Sequence, residues 1–236
     1  MSNLELPPPL DSEYLEIAWG INKLGEDHKP LWIARPIISS NDSSMDYQVK
    51  FEILYSGICH TDLHWGKNHM PGTFYPMVCG HELLGQVTEI GAKVTKFKLG
   101  DFCAVGWYES SNSTSNSFPT KRFRTVHKYF LRPRYLIFFH SFVDSCLDCV
   151  NCESGDEQYC QKIQTRTYNG VKKHGRVGGN QNTKTMGGYS ASNTVHEDFI
   201  IKVPSSMDLQ RTAPLVCAGV TMYSPLKHWG ATNPFI

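Results

Sequence analysis

No apolar run in this chain approaches the roughly 18 residues a membrane span needs. The longest, residues 135–139, is far too short. Nor is there an excess of charge: 23 Lys+Arg against 22 Asp+Glu leave +1, which excludes a global pull toward nucleic acid or a membrane surface. The opening Met-Ser-Asn-Leu-Glu-Leu-Pro-Pro-Pro lacks the basic and apolar pairing of a secretion signal. The expected compartment is therefore reducing and cytoplasmic, where the eight cysteines bind metal more often than they form disulfides. Internal repeats are missing. No Gly-x-Gly-x-x-Gly follows a strand and opens a helix, so the turn that cradles a dinucleotide pyrophosphate is absent.

What is present suffices for a folded core: 236 residues, 40% hydrophobic and 12% aromatic. Trp19, Ile21 and Trp32 suggest a first strand or two. Val49, Phe51, Ile53 and Tyr55 alternate across 48–55, the mark of a half-buried strand. Short Gly-punctuated strands continue over 84–106, pointing to a partly open barrel. Residues 161–188 read as loop, and 199–204 as a strand stopped by Pro204. The segment 205–229 is helical in period, with Pro214 breaking it in two.

Residues 108–142 are unlike their surroundings. A Ser/Asn-rich opening leads to six basic residues against the single acid Glu109, so this block carries +5 and the rest −4. It reads as an inserted stretch that interrupts the domain; a basic arm for nucleic acid is the weaker reading, and no nucleic-acid partner is expected.

Chemistry concentrates in two places. Cys146-x-x-Cys149-x-x-Cys152, followed after seven intervening residues by Cys160, offers four thiolates to one centre. A site filled by sulfur has no room for water, which marks a structural zinc ion. An iron–sulfur cluster, or disulfides, are the competing readings. Earlier, Gly57-Ile-Cys-His-Thr-Asp-Leu-His64 and Gly80-His81-Glu82 supply Cys59 and His81 from loops after different strands, with Cys217 the candidate third ligand. Two sulfurs and one nitrogen leave an open fourth position. Glu82 is either a neighbour or an exchanging ligand, and Asp62 a candidate acceptor behind a ligating imidazole. Cys79 and Cys103 are expected as buried thiols, Cys79 being near enough to compete with His81. Trp65 and Trp107 are either pocket lining or plain core.

These runs, together with Gly187-Gly188-Tyr189 and Ala213-Pro-Leu-Val-Cys-Ala-Gly-Val-Thr-Met-Tyr-Ser-Pro225, resemble the zinc-dependent medium-chain alcohol dehydrogenases, specifically the cinnamyl alcohol dehydrogenase-like branch. The likeness covers about 15–107 and 143–232. It implies a mainly β fold with some α: a GroES-like, partly open β-barrel catalytic domain with a zinc-knuckle lobe over 1–217. Residues 218–236 would start a linker helix toward a Rossmann domain that is missing. By the same resemblance Cys59, His81 and Cys217 hold a catalytic zinc with Glu82 beside it. Cys146, Cys149, Cys152 and Cys160 hold a structural one, giving two Zn2+ per chain. Thr61 would bond the substrate oxygen, His64 would finish the proton relay, and His60 would lie near the phosphates of NADP(H), whose site is largely absent. The implied partners are small-molecule alcohols or aldehydes, with aryl or allylic aldehydes the expected substrates. The alternative is an inactive zinc-binding remnant or interaction module.

Overall fold

The computed structural model describes residues 13–70, 72–106, 141–162, 164–172 and 184–231. Residues 108–140 of the inserted stretch, and Trp107, lie outside these. Ser141 and Phe142, the last two residues of that stretch, are buried.

Nine strands can be followed: β1 (Glu13–Gly20), β2 (Lys29–Pro36), β3 (Gln48–Ser56), β4 (Leu83–Ile90), β5 (Phe102–Val105), β6 (Phe142–Asp144), β7 (Thr165–Arg166), β8 (Ser192–His196) and β9 (Ile201–Lys202). Five form one antiparallel sheet in the order β8-β3-β4-β5-β9; β1-β2 and β6-β7 are separate two-stranded pairs. The alternation in β3 puts Val49 and Phe51 into the main core with Leu83, Val87 and Val105. Phe142 and Phe199 close that core edge to face, ring centres 5.8 Å apart.

The β1-β2 hairpin seats on this sheet through polar contacts. Trp19 N–H donates to the Tyr189 carbonyl at 2.7 Å. The Arg35 guanidinium donates to Glu16 Oε1 at 2.8 Å, Ser190 Oγ at 2.6 Å and the carbonyls of Met186 and Gly187 at 3.0 and 3.2 Å. Both members of the pair are buried.

Among the described residues the α-helices are α1 (His60–Gly66), α2 (Val150–Glu153), α3 (Leu209–Thr212) and α4 (Ala218–His228). Pro214 does break the C-terminal helical region, through the 3-10 turn Ala213–Val216, whose Ala213 and Val216 pack on Leu84 and Ala104. Helix α4 starts where the sequence places the linker helix. It is largely exposed, with Met222 at 63% and Trp229 just beyond it at 74%, so its own packing does little to hold it. No helix among the described residues is long and apolar enough to cross a membrane.

Two expectations need correction. The strand expected over 199–204 shrinks to the two residues of β9, because Phe199 ends a 3-10 turn, Glu197–Phe199. The Glu197 carboxylate accepts the Thr95 and Lys96 amides at 2.8 and 2.9 Å and bends the chain there. The stretch 161–188 is not all loop, since β7 pairs with β6 within it.

Candidate metal centres

The lobe after β6 is built from turns. Leu147 and Gly155 take positive φ, 54° and 77°, which folds the chain back on itself twice. Cys149 caps α2, Cys152 sits inside it, and Cys160 ends the 3-10 turn Glu157–Tyr159. The four buried sulfurs lie within 4.8 Å of one another. Cys146 Sγ is 3.4 Å from that of Cys160 and 3.8 Å from that of Cys152. Sulfurs about 2.3 Å from one tetrahedral ion are about 3.8 Å apart, so the cage fits a single ion. It is too small to wrap a cluster of several irons, and all four thiols are free, which leaves the disulfide reading without support. Burial raises the Cys149 thiol, yet the amides of Cys152 and Gln161 outweigh it and bring it down to about 6.

The second centre draws on three loops. Cys59 precedes α1, His81 and Glu82 precede β4, and Cys217 lies between the Ala213–Val216 turn and α4. Their ligand atoms also lie within 4.8 Å of one another, with Cys217 Sγ 3.4 Å from His81 Nε2. Behind them the buried Asp62 carboxylate ties the loops together. It meets His81 Nδ1 at 2.9 Å and accepts the amides of Cys59 at 3.0 Å and Gly80 at 3.2 Å, with the Tyr189 hydroxyl at 2.9 Å. The proton on Nδ1 then leaves Nε2 facing the two sulfurs as the ligating atom.

The electrostatics ask for a cation. Burial disfavours a charged His81 ring, but the bond to Asp62, then Cys217 and Cys59, pushes its pKa up to about 12. The Cys59 thiol is brought down to about 7, first by His81 and, against burial, by Thr61 backbone and side chain. Burial raises Glu82 and Cys217. A metal ion supplies at Nε2 the positive charge that a proton otherwise carries.

Two glycines make this approach feasible. A Cβ on Gly57 would occupy the space of the Glu82 carboxylate. Gly80, at φ +98°, lies so close to Gly188 and Tyr189 that a Cβ there would sit 2.8–2.9 Å from them.

The remaining expected residues fall nearby. Thr61 touches Cys59. His64 packs against His60, ring centres 4.7 Å apart, and His60 is exposed. Cys79 does not compete with His81: it is fully buried, its thiol pushed up to about 12 by burial, and its Sγ is 3.8 Å from the Asp62 carbonyl. Cys103 is likewise a core thiol. Trp65 is core, 2% exposed, with the Arg166 guanidinium 4.6 Å above its ring. The aromatic residues around Asp62 and His81 were not legible as such. Tyr168 packs 5.9 Å from the His81 ring, and Tyr189 had a signal only in the Gly187-Gly188 pair before it, whose amides bond the Val78 and Gly80 carbonyls.

Residues 45–130 match the family model described as "Alcohol dehydrogenase GroES-like domain". The chain is 36% identical over 210 residues to the Arabidopsis thaliana protein called "Probable cinnamyl alcohol dehydrogenase 6", covering 86% of this chain and 46% of that one. It is 38% identical over 186 residues to "NADP-dependent alcohol dehydrogenase C 1" of Mycolicibacterium smegmatis, covering 78% and 42%. The solved cinnamyl alcohol dehydrogenase of Sorghum bicolor superposes with a TM-score of 0.71 at 33% identity, over 94% of this chain and 50% of that one. The chain thus spans about half the length of the relatives it matches.

Proposed function

For a chain that carries the GroES-like domain of the alcohol dehydrogenases and is related to the cinnamyl alcohol dehydrogenases, we propose the role of zinc-binding catalytic part of an alcohol/aldehyde oxidoreductase, NADP-linked and acting on aryl or allylic aldehydes. The observation that carries this reading is the convergence of Cys59, His81 and Cys217 on one point, with Asp62 behind His81. The donor set fits a catalytic zinc, and the four-thiol lobe a structural one. When bound, zinc supplies Lewis acidity toward an alcohol or carbonyl oxygen, and a nicotinamide takes or gives the hydride. Cys59, His81 and Cys217 hold the ion, and Glu82 lies against the same cluster. Thr61, two residues beyond Cys59, orients the substrate oxygen, and His64, one helical turn on, passes its proton toward solvent. His60 is exposed, and the resemblance puts this position near the cofactor phosphates.

A second reading is a zinc-binding module without turnover. Zinc analysis and NADPH oxidation with an aryl aldehyde, on this chain and on the longest product of its transcript, separate the two. Two zinc ions with turnover that vanishes in Cys59→Ser support the enzyme; two zinc ions and no turnover in either product support the module.

Asp62 gives a sharper test of the open centre. Asp62→Asn weakens the orientation of His81, and its affinity for zinc should fall about 10–100-fold while the four-thiol ion stays. Competition with a chromophoric chelator reads both; unchanged affinity would remove Asp62 from this role.

A further inference from the structure

Helix α1 ends in a Schellman turn. Asn68 takes φ 56°, its amide donates to the Trp65 carbonyl at 3.0 Å, and the His69 amide donates to the His64 carbonyl at 2.9 Å. This pattern sets the second residue past the cap beside the one a turn earlier in the helix, where an apolar contact is usual. Here both positions are histidine. His64 Nδ1 and His69 Nδ1 face each other at 3.3 Å, and the His60 ring stands edge-on to His64. The pair is exposed.

Two neutral imidazoles share at most one N–H···N bond, and at 3.3 Å that bond is a long one. Two nitrogens held about 2.0–2.1 Å from one tetrahedral ion are about 3.3–3.4 Å apart. Backbone geometry, not a passing side-chain encounter, sets the spacing, since both residues belong to the same closed turn. The C-terminal carbonyls of the helix add a modest preference for positive charge.

We infer that His64 and His69 form a third metal site, which takes a divalent transition ion through the two Nδ1 atoms and completes its coordination with water. An all-imidazole donor pair selects Cu2+, Ni2+ or Zn2+ over Mg2+ and Ca2+. The site stands whether or not the chain belongs to an oxidoreductase. If His64 also relays protons, as proposed above, an ion here withdraws that imidazole and excess metal inhibits.

The test is equilibrium dialysis of the zinc-loaded chain against Ni2+, with zinc content followed so that exchange at the thiol centres is not counted. One Ni2+ per chain is expected, with affinity reduced at least tenfold in His69→Asn and in His64→Asn and unchanged in His28→Asn. His69 is exposed, so its replacement leaves the fold intact. In the unsubstituted chain, added Zn2+ should shift the ring nitrogen resonances of both histidines together. No nickel beyond the zinc sites, equal binding in His69→Asn, or unmoved resonances would show the pair to be a hydrogen-bonded couple only.

Discussion

Cys149→Ser should release the sulfur-held ion and unfold the lobe around it. The lobe's buried cluster is the four cysteines with Leu147 packed against them, and little else. Its regular structure amounts to the four residues of α2 and the three of one 3-10 turn. Such short pieces cannot hold themselves together in water. A bound ion would therefore stand in for a hydrophobic core, and structural zinc ions contribute about 10–16 kcal/mol in small domains. Losing one of the four thiols should take zinc from two per chain to one, drop its affinity in the lobe by orders of magnitude, and expose residues 145–162 to proteolysis. Cys103→Ser is the control: Cys103 is buried beside the Gly85 carbonyl, far from any thiol cluster, and should leave the zinc count at two. A Cys149→Ser chain that keeps both ions and an unchanged Tm would overturn the assignment of this centre.

The lobe was also the most legible part of the sequence, and the reason is physical. Thiols at Cys146, Cys149 and Cys152 fall within seven residues, so the chemistry is local and needs no knowledge of the fold. Strand β3 was legible for a similar reason, its alternation of Val49, Phe51 and Ile53 being the imprint of a one-sided core. Strand β8 was not: Ser192, Asn193 and Thr194 carry no apolar period, yet all three are buried because β3 pairs with them, Ser192 Oγ donating to Glu16 Oε2 and Asn193 Oδ1 accepting the Thr194 amide. Cys217 was named as a ligand across 136 residues from His81, but the sequence could not supply the scaffold that brings the two to 3.4 Å. The His64–His69 pair was missed because it depends on one left-handed residue, Asn68, rather than on any periodicity.

Least legible of all was the buried Glu16–Arg35 pair, and it carries the second large prediction. Arg35→Met should destabilise the chain by about 3–5 kcal/mol, because it leaves the Glu16 carboxylate buried with its counter-charge gone. For a domain of this size that is roughly 6–20 °C in Tm. Adding Glu16→Leu should restore much of the loss, since the penalty is an uncompensated charge and not a missing attraction. The recovery should be incomplete, because Arg35 also donates to the carbonyls of Met186 and Gly187 and to Ser190 Oγ. Those contacts hold the segment that presents Tyr189, whose hydroxyl donates to the same Asp62 carboxylate that faces His81. Arg35 thus reaches the open centre through Tyr189 and Asp62, while among the described residues none of its hydrogen bonds runs to the four-thiol lobe. Both substituted chains should therefore bind zinc more weakly at Cys59, His81 and Cys217 and normally at Cys146, Cys149, Cys152 and Cys160. Chelator competition on the double variant decides the matter: with stability largely restored, a zinc affinity equal to that of the unsubstituted chain at both centres would confine Arg35 to holding the β1-β2 hairpin, and a selective loss at His81 would establish the connection.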